Sequence, residues 1–274
     1  MTELHRFDDT YGHTPVKKAF DQGDVYGVAY DAERAGRKPI KLGMIGAGGV
    51  AQSKYFPAVA RLRTIWEPVE IAAFVEPRAD AAEKVHAIYG ARHYEDVGTM
   101  LADQALDGVL VLSPDTLHAQ HTLACLEAGL PVLVEKPIAR GLSNAARMCS
   151  AADEHKLPLM CVANKRYSPP YKRAKRLIDD GKLGPLALFS GKFNLGYDYV
   201  DLLEAGTIHL FDLALYLMGA VKRVSAAGVN RHRHNKGSYP IDNIAMTLEF
   251  ASGAVGSVIS SASALSLKPW ERVE

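Results

Sequence analysis

The sequence predicts an α/β protein: a doubly wound parallel sheet followed by an α+β domain built on an open, mainly antiparallel sheet. Three observations lead there. Between residues 41 and 163 short apolar runs alternate with helical segments of about ten to fifteen residues, the pattern of right-handed βαβ units. The first of those runs breaks into a glycine-rich turn, Gly46-Ala47-Gly48-Gly49-Val50-Ala51. Beyond residue 164 the alternation stops and strands follow one another with few helices between them, which indicates antiparallel pairing.

In order along the chain, residues 1–40 are polar, with scattered glycines and no sustained period, and read as an N-terminal extension. Lys41-Leu42-Gly43-Met44-Ile45 is the first strand, and Ala51, Tyr55, Val59 and Leu62 follow its turn at helical spacing. Residues 69–75 are apolar enough for a buried strand, and 79–89 have the Ala, Glu and Lys content of a helix. A third strand is expected at 108–112, a helix at 117–128 ending at Gly129, a fourth strand at 131–135, a helix at 143–155 and a further strand at 157–163. The parallel domain thus spans 41–163 and the second domain 164–274. In the latter, Pro169 and Pro170 suit the first turn of a helix over 171–180 and Gly181 suits its end. A strand at 186–193, an apolar helix at 206–218 and strands at 221–229, 244–250 and 254–260 complete the prediction, the last two forming a hairpin around Ser252-Gly253.

Composition narrows the function. Of 274 residues, 32 are Lys or Arg and 31 Asp or Glu, so the net charge is +1 with the ten histidines neutral. That balance lacks the basic surplus that draws proteins to nucleic acid or anionic membranes, and neither partner is expected. With 48% apolar and 23% charged residues, the chain has a globular composition. Cys125, Cys149 and Cys161 are too few and scattered for a disulfide framework or a CxxC metal site, so free thiols in a reducing compartment, and no metal, are expected. The start of the chain lacks the basic head and apolar core of a signal peptide, and no apolar run reaches about 18 residues, so the expectation is a soluble, cytoplasmic protein. Arg231-His232-Arg233-His234 reads as a solvated loop, because no acid or cysteine accompanies it at ligand spacing.

The glycine turn carries the first chemical signal. In Gly46-x-Gly48-x-x-Ala51 the first glycine permits a tight turn, the second lets a pyrophosphate approach the backbone, and Ala51 lets the helix pack closely on the strand. The helix N-terminus then offers N–H groups, with Gly49 and Val50 in the loop ahead of Ala51, to phosphates. Glu76, 25 positions past Ala51 at the end of the second strand, stands where an acid accepts hydrogen bonds from an adenosine ribose, which favours NAD; Arg78, two residues on, keeps NADP possible. Glu135-Lys136-Pro137 ends the fourth predicted strand on the side where open α/β sheets bind ligands. The proline demands an extended or cis junction, which can aim Lys136 into the cleft, where its amine could hold an alcohol and carry its proton.

These segments, with Ser113-Pro114-Asp115-Thr116-Leu117-His118, Asn164-Lys165-Arg166-Tyr167-Ser168-Pro169 and Gly206-Thr207-Ile208-His209-Leu210-Phe211-Asp212, resemble in order and spacing the Gfo/Idh/MocA family, the glucose-fructose oxidoreductase and inositol dehydrogenase relatives. The resemblance covers about 41 to 274. It implies a Rossmann domain carrying NAD or NADP, an α+β domain whose sheet closes one side of the active site and pairs subunits, and hydride transfer at a carbon of a sugar, cyclic polyol or derivative. It matches Lys136 to the catalytic lysine and His209 to the histidine that contacts the reacting hydroxyl. Asp212, one turn after His209, orients it or binds substrate, while Asn164 and Arg166 contact substrate hydroxyls or pin the domains together. The cofactor set becomes Gly46, Gly48, Gly49, Val50, Ala51, Glu76, Arg78, Ser113, Pro114, His118, Glu135 and Lys136, with His118 in a supporting role near the nicotinamide.

The sequence departs from the family where many dehydrogenases carry an aspartate four residues before the histidine. That position is Ala205. Proton transfer then rests on Lys136 and His209 alone, or Glu204, Asp201, Asp198 or Tyr197 substitutes, or the usual alcohol dehydrogenation is lost or changed. Two rivals to a simple dehydrogenase follow: a nonredox glycoside-processing enzyme that recycles a tightly held NAD, and a dinucleotide-binding protein with little catalytic activity. About 111 residues is short for the family's second domain, so a C-terminal truncation, or completion of the sheet by a partner, is also expected.

Overall fold

The computed structural model describes residues 38–65, 69–194, 201–230, 241–262 and 271–273. The N-terminal extension, save its last three residues, and the Arg231–His234 loop lie outside them, as do Tyr197 and Asp198.

The first sheet contains β1 (Ile40–Ile45), β2 (Val69–Val75), β3 (Arg92–Tyr94), β4 (Gly108–Val111), β5 (Val132–Val134) and β6 (Leu159–Cys161). Their order is β3-β2-β1-β4-β5-β6 and every pairing is parallel. Helices α1 (Phe56–Ile65), α2 (Ala79–Tyr89), α3 (Val97–Asp103), α4 (His118–Glu127) and α5 (Leu142–His155) make the crossovers. One cluster packs Ile45, Val75, Val109 and Val111 with Cys125, Leu126 and Met148; the other packs Met44, Phe74 and Leu110 with Phe56, Ala82 and Val85. Strands buried on both faces need continuous apolar runs, and these have them. Strand order reverses between β1 and β4, which opens a crevice at the carboxyl ends of both.

The expected third strand is the fourth, because β3 and α3 precede it unanticipated. Arg-His-Tyr at the sheet edge buries only Tyr94, which is too short a run to display a period of 2. Helix α3 is seven residues long and starts where the Asp96 carboxylate accepts the Thr99 N–H at 2.8 Å. The predicted first helix begins with a widened, π-helical turn over Ala51–Tyr55.

Helix α6 (Pro169–Asp179) leads to a second sheet of β7 (Leu188–Asn194), β8 (Val221–Val229), β9 (Asn243–Phe250), β10 (Val255–Ser261) and β11 (Glu271–Val273), ordered β11-β7-β10-β9-β8. Only β7 and β10 run parallel; β9 and β10 form the expected hairpin. The apolar helix over 206–218 is instead a π-helical turn, Leu202–Thr207, continuing into α7 (Ile208–Met218). Leu210 and Ala214 of α7 pack on Phe189, Phe193, Met246, Leu248 and Val258 of the sheet. Alternation leaves Ala245, Thr247, Val255 and Ile259 on the opposite, exposed face.

Phe56, 2% exposed, anchors α1: its ring stacks on Tyr89 at 4.4 Å and meets Phe74 edge-on at 6.2 Å. Phe56→Ala should cost about 3–5 kcal/mol of unfolding free energy, read by chemical denaturation.

Candidate active site

At the crevice between β1 and β4 lies a cleft of about 880 Å³. Gly46, Gly48, Gly49 and Val50 line one side, Glu76 and Arg78 another, and Ser113 and Pro114 a third, so eight of the predicted cofactor residues meet there. Gly46 has φ +94° and donates its N–H to the Val75 carbonyl at 2.9 Å; a Cβ on it would stand 2.8 Å from the backbone of Leu112 and Ser113. Only glycine fits that corner. Gly48 and Gly49 differ, since a Cβ on either would point into open space. The loop therefore has a backbone cradle that a side chain would fill, which fits a pyrophosphate. Ala51 is buried beneath it.

Glu76 is only 4% exposed. Burial works to raise its pKa, but hydrogen bonds from the Arg78 side chain and backbone and from the Ala47 N–H, with the Arg78 charge, outweigh that and hold it below the ordinary value. Arg78 is turned onto Glu76 at 2.9 Å, its guanidinium otherwise exposed.

His118 sits behind the cleft, 2% exposed, with one ring nitrogen 2.7 Å from the Pro137 carbonyl oxygen and the other 2.9 Å from that of Ser113. It fixes the distance between the chain after β4 and the chain after β5. One turn on, His121 lines the cleft, 2.9 Å from the Ser113 hydroxyl, and burial followed by the nearby His118 lowers its pKa. The signal for His121 was its i+3 spacing from His118. Glu95, Asp96 and Gly98 on the cleft wall carried no such signal, because they belong to the β3–α3 connection.

Beyond β5, the Glu135 carboxylate accepts the Tyr55 hydroxyl at 2.8 Å and the Lys136 backbone N–H at 2.9 Å. The Lys136–Pro137 bond is cis. Burial lowers the Lys136 pKa, opposed by the charges of Glu135 and Asp115 and by Cys161. Cys161 ends β6; burial, then Glu135 and Asp212, push its thiol up to about 11. Lys136 and Asp212 thus both lie within electrostatic reach of one thiol, which joins the two halves of the site.

Asp212 is not free for substrate in this arrangement. Both its oxygens accept the Arg166 Nε–H at 2.8 Å, and the guanidinium also lies 5.1 Å over the Tyr216 ring. Arg166 and Asp212 therefore pin the turn after β6 to α7. Asn164 is exposed at the start of that turn, and His209 is half-buried in the first turn of α7. Near Ala205, Asp201 accepts the N–H groups of Leu203 and Glu204 at 2.8 and 2.9 Å, and Glu204 lies 3.5 Å from Arg140. Arg140 also binds Asp115 at 3.0 Å, so one cation spans the two halves. Among the described residues no group of three His, Cys, Asp or Glu is placed to hold a metal ion.

A model of an oxidoreductase family with an NAD-binding Rossmann fold matches residues 40–162, and the GFO/IDH/MocA C-terminal domain matches residues 171–272. The chain belongs to the GFO/IDH/MocA family. Among curated GFO/IDH/MocA-like relatives, the inositol 2-dehydrogenase of Corynebacterium glutamicum (strain R) is 27% identical over 190 residues, 67% of this chain and 55% of that protein. A D-xylose 1-dehydrogenase [NADP(+)] of Haloarcula marismortui is 30% identical over 165 residues, 60% of this chain and 44% of that protein. The chain thus spans about half the length of these relatives. A solved levoglucosan dehydrogenase, in complex with NADH and levoglucosan, superposes with a TM-score of 0.78 at 23% identity over 86% of this chain and 70% of that one, a likeness of fold.

The two glycines separate folding from binding. Gly46→Ala should destabilise the domain by about 1–3 kcal/mol through strain and backbone overlap. Gly48→Ala should leave the melting temperature within a degree or two of the parent and weaken NAD binding about tenfold, roughly 1.4 kcal/mol. Thermal unfolding and calorimetric titration with NAD check the pair.

Proposed function

We propose that this chain is an NAD(P)-dependent oxidoreductase acting on the CH–OH group or carbonyl of a sugar, cyclic polyol or derivative. The observation that carries it is the placing of Lys136: a half-buried amine within the field of Glu135 and Asp115, at the strand ends next to a glycine-lined cleft. Inositol 2-dehydrogenase and D-xylose 1-dehydrogenase among the relatives support the substrate class. A bound nicotinamide dinucleotide would supply the hydride acceptor or donor. Gly46, Gly48, Gly49 and Val50 would hold its phosphates, with Ala51 packed behind, and Glu76 its ribose, which favours NAD; Arg78, once released from Glu76, would admit NADP. Ser113, Pro114 and Glu135 would flank the nicotinamide end, with His118 holding their loops.

In oxidation, Lys136 takes the hydroxyl proton as the carbon loses its hydride, and His209 holds the same oxygen; in reduction Lys136 returns the proton. Because burial lowers its pKa, the neutral amine is available below the ordinary lysine value of 10.5. Oxidation should therefore rise with pH through a limb below 10.5 and reduction should fall through it. Arg166 and Asp212 act as one unit that sets α7, and with it His209, against the cleft; Asn164 faces the substrate from the turn after β6.

Nicotinamide absorbance, followed over a panel of sugars, inositols and sugar nucleotides with NAD and with NADP, tests the proposal. Lys136→Met should bind dinucleotide as the parent does and lose turnover about a hundredfold or more. Undiminished turnover would refute the role of the lysine. A second reading, a dinucleotide-binding protein with little catalysis, draws on Ala205, since Asp201 and Glu204 are both engaged elsewhere; it requires NAD binding with no turnover across the panel.

For the assembly we infer a homo-oligomer paired through the outer face of the second sheet, where Val255 and Ile259 are 47% and 50% exposed. Light scattering should give a dimer or larger, and Ile259→Lys should shift it toward the monomer. A monomeric parent would overturn this. No helix among the described residues is long and apolar enough to cross a membrane. We infer a cytoplasmic location from Cys125, Cys149 and Cys161, which are free thiols of the kind a reducing compartment keeps.

A further inference from the structure

We propose that Tyr55 is a positioning residue for Lys136, acting through Glu135. The inference rests on the reading of Lys136 as the proton-handling group. Tyr55 comes from the helix behind the glycine loop, 80 positions from Glu135 in sequence, and donates its hydroxyl to one carboxylate oxygen at 2.8 Å. The other oxygen accepts the backbone N–H of Lys136 at 2.9 Å. A carboxylate held by donors on both oxygens has one orientation left. That orientation keeps a negative charge beside the Lys136 amine, where it favours the ammonium form against burial.

The backbone explains how Tyr55 reaches that far. It closes the π-helical turn Ala51–Tyr55, and a widened turn carries about one residue more than an α-turn, so the side chains after it rotate by about 100°. Burial, then the charge and hydrogen bond of Glu135, push the Tyr55 phenol above its ordinary value, so it stays a donor. Among the groups that act on the lysine are also Asp115, from the turn after β4, and Cys161, at the end of β6; Asp212 of α7 is in reach of that same thiol. Of these only the Cys161 thiol also acts on the phenol, and only weakly by charge; the hydrogen bond that Tyr55 makes is to Glu135, so its removal acts on Lys136 chiefly by way of Glu135.

The test reads the lysine directly. In full-length protein carrying ¹³C,¹⁵N-lysine, the Lys136 side-chain signal is assigned by its absence from Lys136→Met, and its titration midpoint is followed by NMR. Tyr55→Phe should lower that midpoint by about one pH unit. Glu135→Gln should lower it in the same direction, and the double variant should go no lower than Glu135→Gln alone. Titration with NADH, by fluorescence, checks that each variant keeps its cleft. Replacing Tyr55 by 4-aminophenylalanine, which retains a donor in the same place, should return the midpoint to the parental value and serves if Tyr55→Phe does not fold. A parental midpoint in Tyr55→Phe, or a lowered one with 4-aminophenylalanine, overturns the proposal. Turnover of Lys136→Met on the sugar panel tests the underlying reading separately: if turnover survives, the lysine has lost its role while the titrations still report whether Tyr55 governs it.

Discussion

The structure turns on the meeting of β1 and β4 at Gly46. There a residue with no side chain is wedged against the backbone of Leu112 and Ser113 while its N–H closes onto β2. The ends of β2 and β4 are thereby fixed on either side of β1, and the groups that leave them take their position from that junction. Gly48 and Gly49 open beside it, Glu76 leaves β2 next to it, and Ser113 begins the loop that His118 ties to Pro137. Glu135 and Lys136 lie one strand further along the same edge, where parallel pairing of β4 with β5 sets them beside the cleft rather than on its wall.

Two carboxylates, Glu76 buried and Glu135 half-buried, divide the electrostatic work. Glu76 is neutralised locally by Arg78 and by the loop N–H of Ala47, so its charge is part of the loop's own framework. Glu135 is satisfied by a phenol and a backbone N–H, neither of which carries a charge. Its charge is left to act on Lys136. In the second half of the site the opposite choice is made: Asp212 and Arg166 cancel each other and fix geometry.

The fold was legible in the sequence wherever a segment had length and period enough to be read. The buried runs of β1, β2 and β4, the glycine turn after β1, and the hairpin of β9 and β10 all announced themselves. Tripeptide β3, whose Arg92 and His93 look like loop, did not, and with it went Asp96 and Gly98 on the cleft wall. The site was legible as a set of residue types at the ends of strands, but not as a set of pairs. Nothing in the sequence tells that Asp212 faces Arg166, that Arg140 spans Asp115 and Glu204, or that Tyr55 finds Glu135, because each pairing is made by tertiary packing across 25 to 80 positions. Helical phase was equally hidden: apolar spacing located the helices that follow Gly48 and Asp201, but an extra residue within one turn leaves no trace in composition.

Those two widened turns give the molecule a register that counts residues. An α-helix repeats with 3.6 residues per turn and a longer or shorter one keeps its faces, so most helices tolerate a change in where they begin. Here Ala51–Tyr55 and Leu202–Thr207 each interrupt that repeat just ahead of residues that must face a fixed neighbour: Phe56 against Tyr89 in one case, Leu210 against the second sheet in the other. A single-residue deletion inside either turn would let it tighten to ordinary α geometry without disturbing the helix that follows. With Gly46 held at the strand ends, the same deletion instead turns the residues that remain in the shortened turn by about 100°, and so aims Tyr55 away from Glu135 or Glu204 away from Arg140. Length polymorphism at these two places is therefore a route by which one fold can re-aim single side chains beside its cleft while its core stays unchanged.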